Sequence, residues 1–268
     1  MSEYIHDFLA GNEPDKPFHQ VIALHEEPLA AWESVTEQMP LLPRGWYELA
    51  RLPVEDRIEF THDYWLTKLP FIVSALLEKR LNEFFENLEE IGIYATQAKQ
   101  GGPFDVHMVY SLKQAMGFFQ GGPPAAPATI DALVKRFAHV NLPPDYLAFL
   151  QIHDGFSKYT DTGMIKTREM SQVYQRLQRL LVEDLLVRPD GQVIPPESLI
   201  PFYESFGLHC YQCFYADWYP EEEMGNVYFS EHDRSISNFL DAHAYEENLA
   251  FPSFLGWLIF YLEDIWHI

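Results

Sequence analysis

Cysteine and basic side chains are scarce in this sequence of 268 residues. Its two cysteines, Cys210 and Cys213, are too few for a disulfide framework, and they favour a reducing compartment. Lys plus Arg number 18 against 40 Asp plus Glu, which gives a formal net charge of -22. Basic surfaces are what nucleic acids and anionic membranes attract. We therefore predict a cytoplasmic protein that binds neither nucleic acid nor membrane.

Long apolar runs and targeting signals are also absent. The longest strongly apolar run, at residues 254–262, is too short for a transmembrane helix, which needs about 20 residues. Residues 1–7 have neither the basic region nor the apolar core of a secretory signal. The apolar share of 47% excludes a disordered chain. These features predict a soluble globular protein.

Recognisable catalytic motifs are missing as well. The sequence has no Gly-rich phosphate loop, no Gly-x-Ser-x-Gly and no His-Glu-x-x-His. Residues 209–215 are predicted to be a strand, so the side chains of Cys210 and Cys213 face opposite sides of it, and no second cysteine pair could complete a zinc site. We predict no catalytic residues, no cofactor and no metal. The alternative is a hydrolase or metal-dependent enzyme with dispersed His, Asp and Glu ligands.

Apolar periodicity predicts a mainly helical N-terminal region. It indicates an irregular arm at residues 1–28, a turn at 43–45, a helix from Pro53, a second helix after Pro70 that Gly92 closes, strands at 91–96 and 106–112, and a helical turn at 113–119. Residues 121–127, rich in Gly and Pro, predict an exposed connection. It would divide a region of unknown role (residues 1–126) from a second domain (residues 127–268).

The second domain is organised around residues 142–155. Pro143 and Pro144 start a helix there, and Asp154 with Gly155 is predicted to end it. Leu150 is predicted to lie in the core, and Gly155 to adopt a positive φ. Further along the chain, residues 199–203, 209–216 and 226–230 are rich in strand formers, and residues 251–266 read as a buried final helix.

Four of these segments together resemble the SUKH superfamily, the Smi/Knr cell-wall-regulator and toxin-immunity fold. They are residues 142–155, the Ile-Pro-Phe strand at 200–202, the Gly-x-Val-Tyr strand at 225–228 and the Ser-Phe-containing helix at 251–258. The resemblance implies an α+β domain, a twisted and mostly antiparallel sheet flanked by helices. It also implies a non-enzymatic binding module, acting as an immunity protein against a toxin or as a regulatory adaptor.

Acidic residues concentrate towards the C-terminus. Residues 180–268 carry 16 Asp plus Glu against Arg188 and Arg234, so this section has a formal charge of 2 − 16 = −14. One predicted loop places carboxylates beside aromatic side chains, which are frequent interface anchors. Its candidate partner-binding residues are Asp217, Trp218, Tyr219, Glu221, Glu222 and Glu223. We predict a basic protein partner, such as a toxin, and the alternative is a solvated acidic turn with Trp218 folded into the core.

Overall fold

The computed structural model describes residues 18–26, 28, 30–69, 75–115, 117–183, 185–188, 190–220 and 222–263, together with Ile5, Phe8 and Leu9. The α-helices within these residues are Trp32–Gln38 (α1), Arg44–Leu49 (α2), Val54–Lys68 (α3), Ala75–Glu86 (α4), Pro127–Arg136 (α5), Pro144–Phe149 (α6), Thr167–Glu183 (α7) and Phe254–Glu263 (α8). The strands are Gln20–Ala23 (β1), Leu88–Gln97 (β2), Phe104–Leu112 (β3), Phe118–Gly121 (β4), Phe156–Lys158 (β5), Gly163–Met164 (β6), Leu199–Ser205 (β7), Cys210–Tyr215 (β8), Asn226–Ser230 (β9), Ser235–Ile236 (β10) and Ala250–Phe251 (β11).

The strands form two antiparallel sheets. The first sheet has the order β1-β2-β3-β4-β5, and the second has the order β10-β9-β8-β7-β6 with β11 paired to β9. Every strand pair is antiparallel. Helices accompany both sheets, so the predicted α+β class with mostly antiparallel sheets is confirmed.

Several predicted N-terminal elements are wrong. Residues 20–23 of the predicted irregular arm form β1, and the predicted turn at 43–45 is where α2 begins, with Pro43 as its extended N-cap. Gly92 lies inside β2, where an added Cβ would be 2.6 Å from Tyr94 Cε2 and 2.7 Å from His25 Cε1. The glycine thus permits a close approach within a strand, and does not end a helix. Of the helical turn predicted at 113–119, only Lys113–Ala115 is helical (a 3-10 turn), and β4 follows.

The Gly- and Pro-rich segment at 121–127 is also built differently from the prediction. Gly121 and Gly122 are buried, and a Cβ on Gly121 would clash with the imidazole ring of His153. The backbone N–H of Gly122 donates to the carbonyl of Gly155 at 2.9 Å. The predicted exposed connection is therefore wrong for these two glycines, whose missing side chains serve close packing. The domain division at residues 126 and 127 stays a prediction.

The stretch at residues 142–155 contacts both sheets, with the ring of Tyr146 5.0 Å from that of Phe214 and the ring of Phe149 5.7 Å from that of Phe156, but its helix is short. α6 ends at Phe149, because the chain turns through residues 150–155 before entering β5. The buried position of Leu150, which is 0% exposed, and the positive φ of Gly155, at 88°, are both confirmed. α6 therefore buries its aromatic face while the turn after it leads the chain into the first sheet.

One aromatic cluster joins the N-terminal helices to this stretch. The ring of Trp65, on α3, lies 5.3 Å from that of Phe149 and 5.9 Å from that of Phe156. Trp65 also contacts Phe85 and Tyr110, at 5.6 and 5.8 Å between ring centroids. Trp65 is fully buried, and one buried apolar cluster extends across both regions of the chain.

Candidate interaction surface

The acidic loop predicted as a binding surface connects β8 to β9. Backbone bonds close it at its base: the N–H of Tyr215 donates to Gly225 at 2.9 Å, and the N–H of Gly225 donates to Trp218 at 2.9 Å. The N–H of Trp218 in turn donates to Tyr215 at 3.0 Å. The first turn of the loop is therefore held by the sheet it extends, and its backbone position is well defined.

Trp218 fixes this loop from the inside. Its ring is half-buried and packs over Gly225, where any Cβ would clash with it. The ring centroid lies 5.3 Å from that of Phe239 and 5.4 Å from that of Tyr245. Trp218 thus folds back on the protein, and it supports the loop while keeping part of its surface accessible.

The other predicted loop residues differ in exposure. Asp217 and Glu222 are exposed, Tyr219 is 47% exposed, and Glu223 is partly buried. Glu222 adopts a positive φ of 66°. Glu221 lies outside the described residues. The loop thus presents two carboxylates and a phenol ring to solvent beside the half-buried indole of Trp218.

The charge of Glu223 acts on the pKa of a buried carboxylate, that of Asp145. Asp145, at the start of α6, accepts the backbone N–H of Leu255 at 2.9 Å and that of Tyr146 at 2.8 Å. Its side chain thereby caps the N-terminus of α8, which is 110 positions away. Burial raises the pKa of Asp145 to about 6, the two N–H groups lower it, and the charge of Glu223 raises it further. The acidic loop therefore lies within electrostatic reach of the core of the second sheet.

One basic side chain lies beneath the loop, and the pattern of loop residues gave no sign of it. The guanidinium of Arg188 lies 5.1 Å from the ring centroid of Phe239, the residue that also contacts Trp218. It pairs with Asp190 at 2.9 Å. The charges of both Arg188 and Asp217 act on the pKa of Tyr215, which burial raises. Arg188 thus lies near the base of the loop as one half of an ion pair with Asp190.

The cysteines and the dispersed acidic residues form no metal-binding group within the described residues. Cys210 and Cys213 are unlinked and buried in β8. Burial raises the pKa of the Cys213 thiol well above its ordinary value, which keeps it protonated and unreactive. In the described part of the chain, no three or more His, Cys, Asp or Glu side chains are grouped so that they could hold a metal ion. None of the described helices is long and apolar enough to cross a membrane.

Comparison with known proteins adds a family-level result. The sequence model of the SMI1 / KNR4 family (SUKH-1) matches residues 124–259. The match begins just before α5 and ends inside α8, so it includes β5, the whole second sheet and the acidic loop. Neither a curated protein nor a solved structure matches the chain.

Proposed function

The chain belongs to the SMI1 / KNR4 family (SUKH-1), and from this premise we propose that it is a non-enzymatic protein-binding module of the cytoplasm. Its role is that of an immunity-type protein, which neutralises a toxin by covering it, or of a regulatory adaptor. Both roles are what the family resemblance implies. They share one requirement, a surface that captures a protein partner, and we place this surface at the loop between β8 and β9.

The observation that carries the proposal is the construction of this loop. Asp217, Tyr219 and Glu222 are exposed on a turn that backbone bonds and the ring of Trp218 hold in place. A pre-positioned surface loses little conformational entropy when it binds. The section from residue 180 onward has a formal charge of −14, so its field attracts a basic partner and raises the encounter rate.

The side chains have different roles in this proposal. Tyr219 is the contact anchor, because its ring is 47% exposed and a tyrosine buries a large area at low entropic cost. The carboxylates at positions 217, 221, 222 and 223 steer the partner and pair with its Lys and Arg side chains. Trp218 supports the loop, since its half-buried ring packs against Phe239 and Tyr245.

The test reverses the charge of the loop. In Glu221→Lys/Glu222→Lys/Glu223→Lys, we expect a nearly unchanged melting temperature and a slower association with the basic protein that the wild-type chain captures and mass spectrometry identifies. Surface plasmon resonance at two salt concentrations measures the association rate, and the wild-type rate should fall as salt rises. Tyr219→Ala should instead accelerate dissociation, because it removes buried contact area.

A matched control separates the loop from net charge. Glu33 and Glu37 on α1, with Glu55 on α3, are exposed and far from the loop in sequence, and changing all three to Lys alters the net charge equally. We expect this control to retain most of the association rate. If both triple variants slow association to the same degree, or if neither does, the binding surface is not this loop.

A further inference from the structure

A large pocket opens where the N-terminal helices meet the stretch around residues 142–155. Its volume is about 740 Å³, within the range of small-molecule sites, and such sites are common where two parts of a protein meet. α2, α3 and β3 supply most of the wall, and Pro124, Ile152 and His153 complete it. The innermost side chains, Trp46, Trp65 and Met108, are almost fully buried.

Three polar side chains of the inner wall, those of Trp65, Tyr110 and His153, are already paired within the protein. The Trp65 indole N–H donates to the Tyr110 hydroxyl at 3.1 Å, and this hydroxyl lies 2.6 Å from His153 Nε2. His153 Nδ1 lies 2.9 Å from the carbonyl of Gly122, which can only accept, so Nδ1 carries the proton and the Tyr110 hydroxyl donates to Nε2. Burial lowers the pKa of His153 to about 4, so the imidazole is neutral at pH 7. The part of a ligand that faces these three side chains is therefore expected to be apolar.

The rim of the pocket differs from the rest of this acidic protein. Glu48, on α2, and Arg51, just after α2, both line the pocket. Glu48 pairs with Arg44 as well as with Arg51. Glu48 is in direct contact with Arg44, which lies outside the pocket, whereas its distance to the Arg51 guanidinium is 3.7 Å, so the charge of Arg51 is only partly neutralised. The Arg51 side chain is 58% exposed, so it can reorient towards a ligand.

We propose that this pocket binds an amphipathic organic anion. The apolar body of the ligand would lie against the accessible side chains of Leu49 and Phe60 and the edge of Trp46, and its carboxylate would pair with Arg51. The loosely paired guanidinium of Arg51 argues for an anionic head, because a cationic one would meet it, and the mainly apolar wall argues for an apolar body. This binding activity is separate from the protein-binding function proposed above.

Three probes with the same tail test the proposal: decanoate, decan-1-ol and decyltrimethylammonium, each used below its micellar concentration. The fluorescence of the lining tryptophans and calorimetry report binding to the full chain. We expect saturable binding with decanoate the tightest and the cation the weakest, by about tenfold, because an exposed charge pair changes affinity by about two- to fivefold and the cation reverses its sign.

Two matched pairs of variants locate the site. Gly45 lines the pocket, and a Cβ there would have no heavy atom within 4 Å, so Gly45→Phe should fill the mouth and weaken decanoate binding at least about tenfold while Gly45→Ala binds normally. Arg51→Gln should lose the preference for decanoate over decan-1-ol. Arg168→Gln, which changes a similarly exposed arginine outside the pocket, should keep it.

Melting temperatures establish whether the Gly45 variants are folded. If Gly45→Phe is unfolded, the comparison of Arg51→Gln with Arg168→Gln decides between the outcomes. Absence of saturable decanoate binding overturns the proposal. Equal affinity for the three head groups overturns it too, as does decanoate binding to folded Gly45→Phe that equals the wild type.

Discussion

The two sheets of this protein relate differently to its family. The second sheet, β6 to β11, lies entirely within the matched residues 124–259, whereas the first sheet has four strands before them and only β5 inside. β5 nevertheless pairs with β4, with Phe119 opposite Lys158. The family-specific part of the chain thus supplies the last strand of the sheet built by the other part. The N-terminal region is therefore joined to the family domain through backbone pairing as well as through side-chain packing.

The substitution that should weaken this connection most is at Trp65. Its ring belongs to α3 but contacts Phe149 and Phe156 of the matched region, so Trp65→Ala should lower the free energy of unfolding by about 3–5 kcal/mol. If the two sheets share a core, the near-UV circular dichroism of the aromatic side chains and the protection of β8 amides from hydrogen exchange should be lost at the same urea concentration. Phe60→Ala, on the same helix at 60% exposure, is the control and should cost little. Loss of the first sheet alone would show that the two regions unfold independently.

A smaller effect is expected at Gly155, where the chain passes from the turn after α6 into β5. Its φ of 88° disfavours side chains, and an added Cβ would lie 2.8 Å from Lys166 Cγ. Gly155→Val should therefore cost about 1–3 kcal/mol. Gly45→Ala is the matched glycine control, because its surroundings are open and alanine favours helix, so it should leave stability equal or slightly higher. Urea titrations compare them, and equal stability of both variants would contradict the role of Gly155.

The smallest effects concern pH, and they have opposite signs at two buried groups of the stretch at residues 142–155. The folded-state pKa of His153 is lowered to about 4, so its contribution is present above pH 6.5 and is lost as the pH falls towards 4. The folded-state pKa of Asp145 is raised to about 6, so its ionised form costs stability that returns as the pH falls from 6 towards 3.8. Between pH 7.5 and pH 5, His153 should lose about 2 kcal/mol and Asp145 should regain about 1 kcal/mol.

Two substitutions separate these contributions. His153→Gln retains a donor and an acceptor but does not titrate, so its stability should fall less on acidification than that of the wild type. Asp145→Asn removes the group that gains stability in acid, so its stability should fall more. Urea unfolding at the two pH values measures both differences, and acid responses identical to the wild type in both variants would contradict the assigned pKa shifts.

Local sequence patterns predict the long strands of the second sheet better than the short strands of the first. The strands at β7, β8 and β9 and the buried final helix carry β-branched and aromatic runs or a continuous apolar face, and these local patterns survive folding unchanged. β1 and β4 are four residues each, too short for a periodic signal, and their pairing depends on partners distant in sequence. The helix α2 was missed because Pro43 and Gly45 were read as a turn, although proline often precedes a first helical turn.

Composition, short motifs and backbone preference are properties of the chain before it folds, and they were enough to predict the acidity of the C-terminal section, the α+β class, the family and the positive φ at Gly155. The folded structure was needed to find that Trp218 supports its loop from inside, that Arg188 lies beneath that loop, and that His153 and Tyr110 line a pocket with Trp46. These side chains come from segments far apart in sequence. Their contacts depend on how two sheets pack together, which no local pattern encodes.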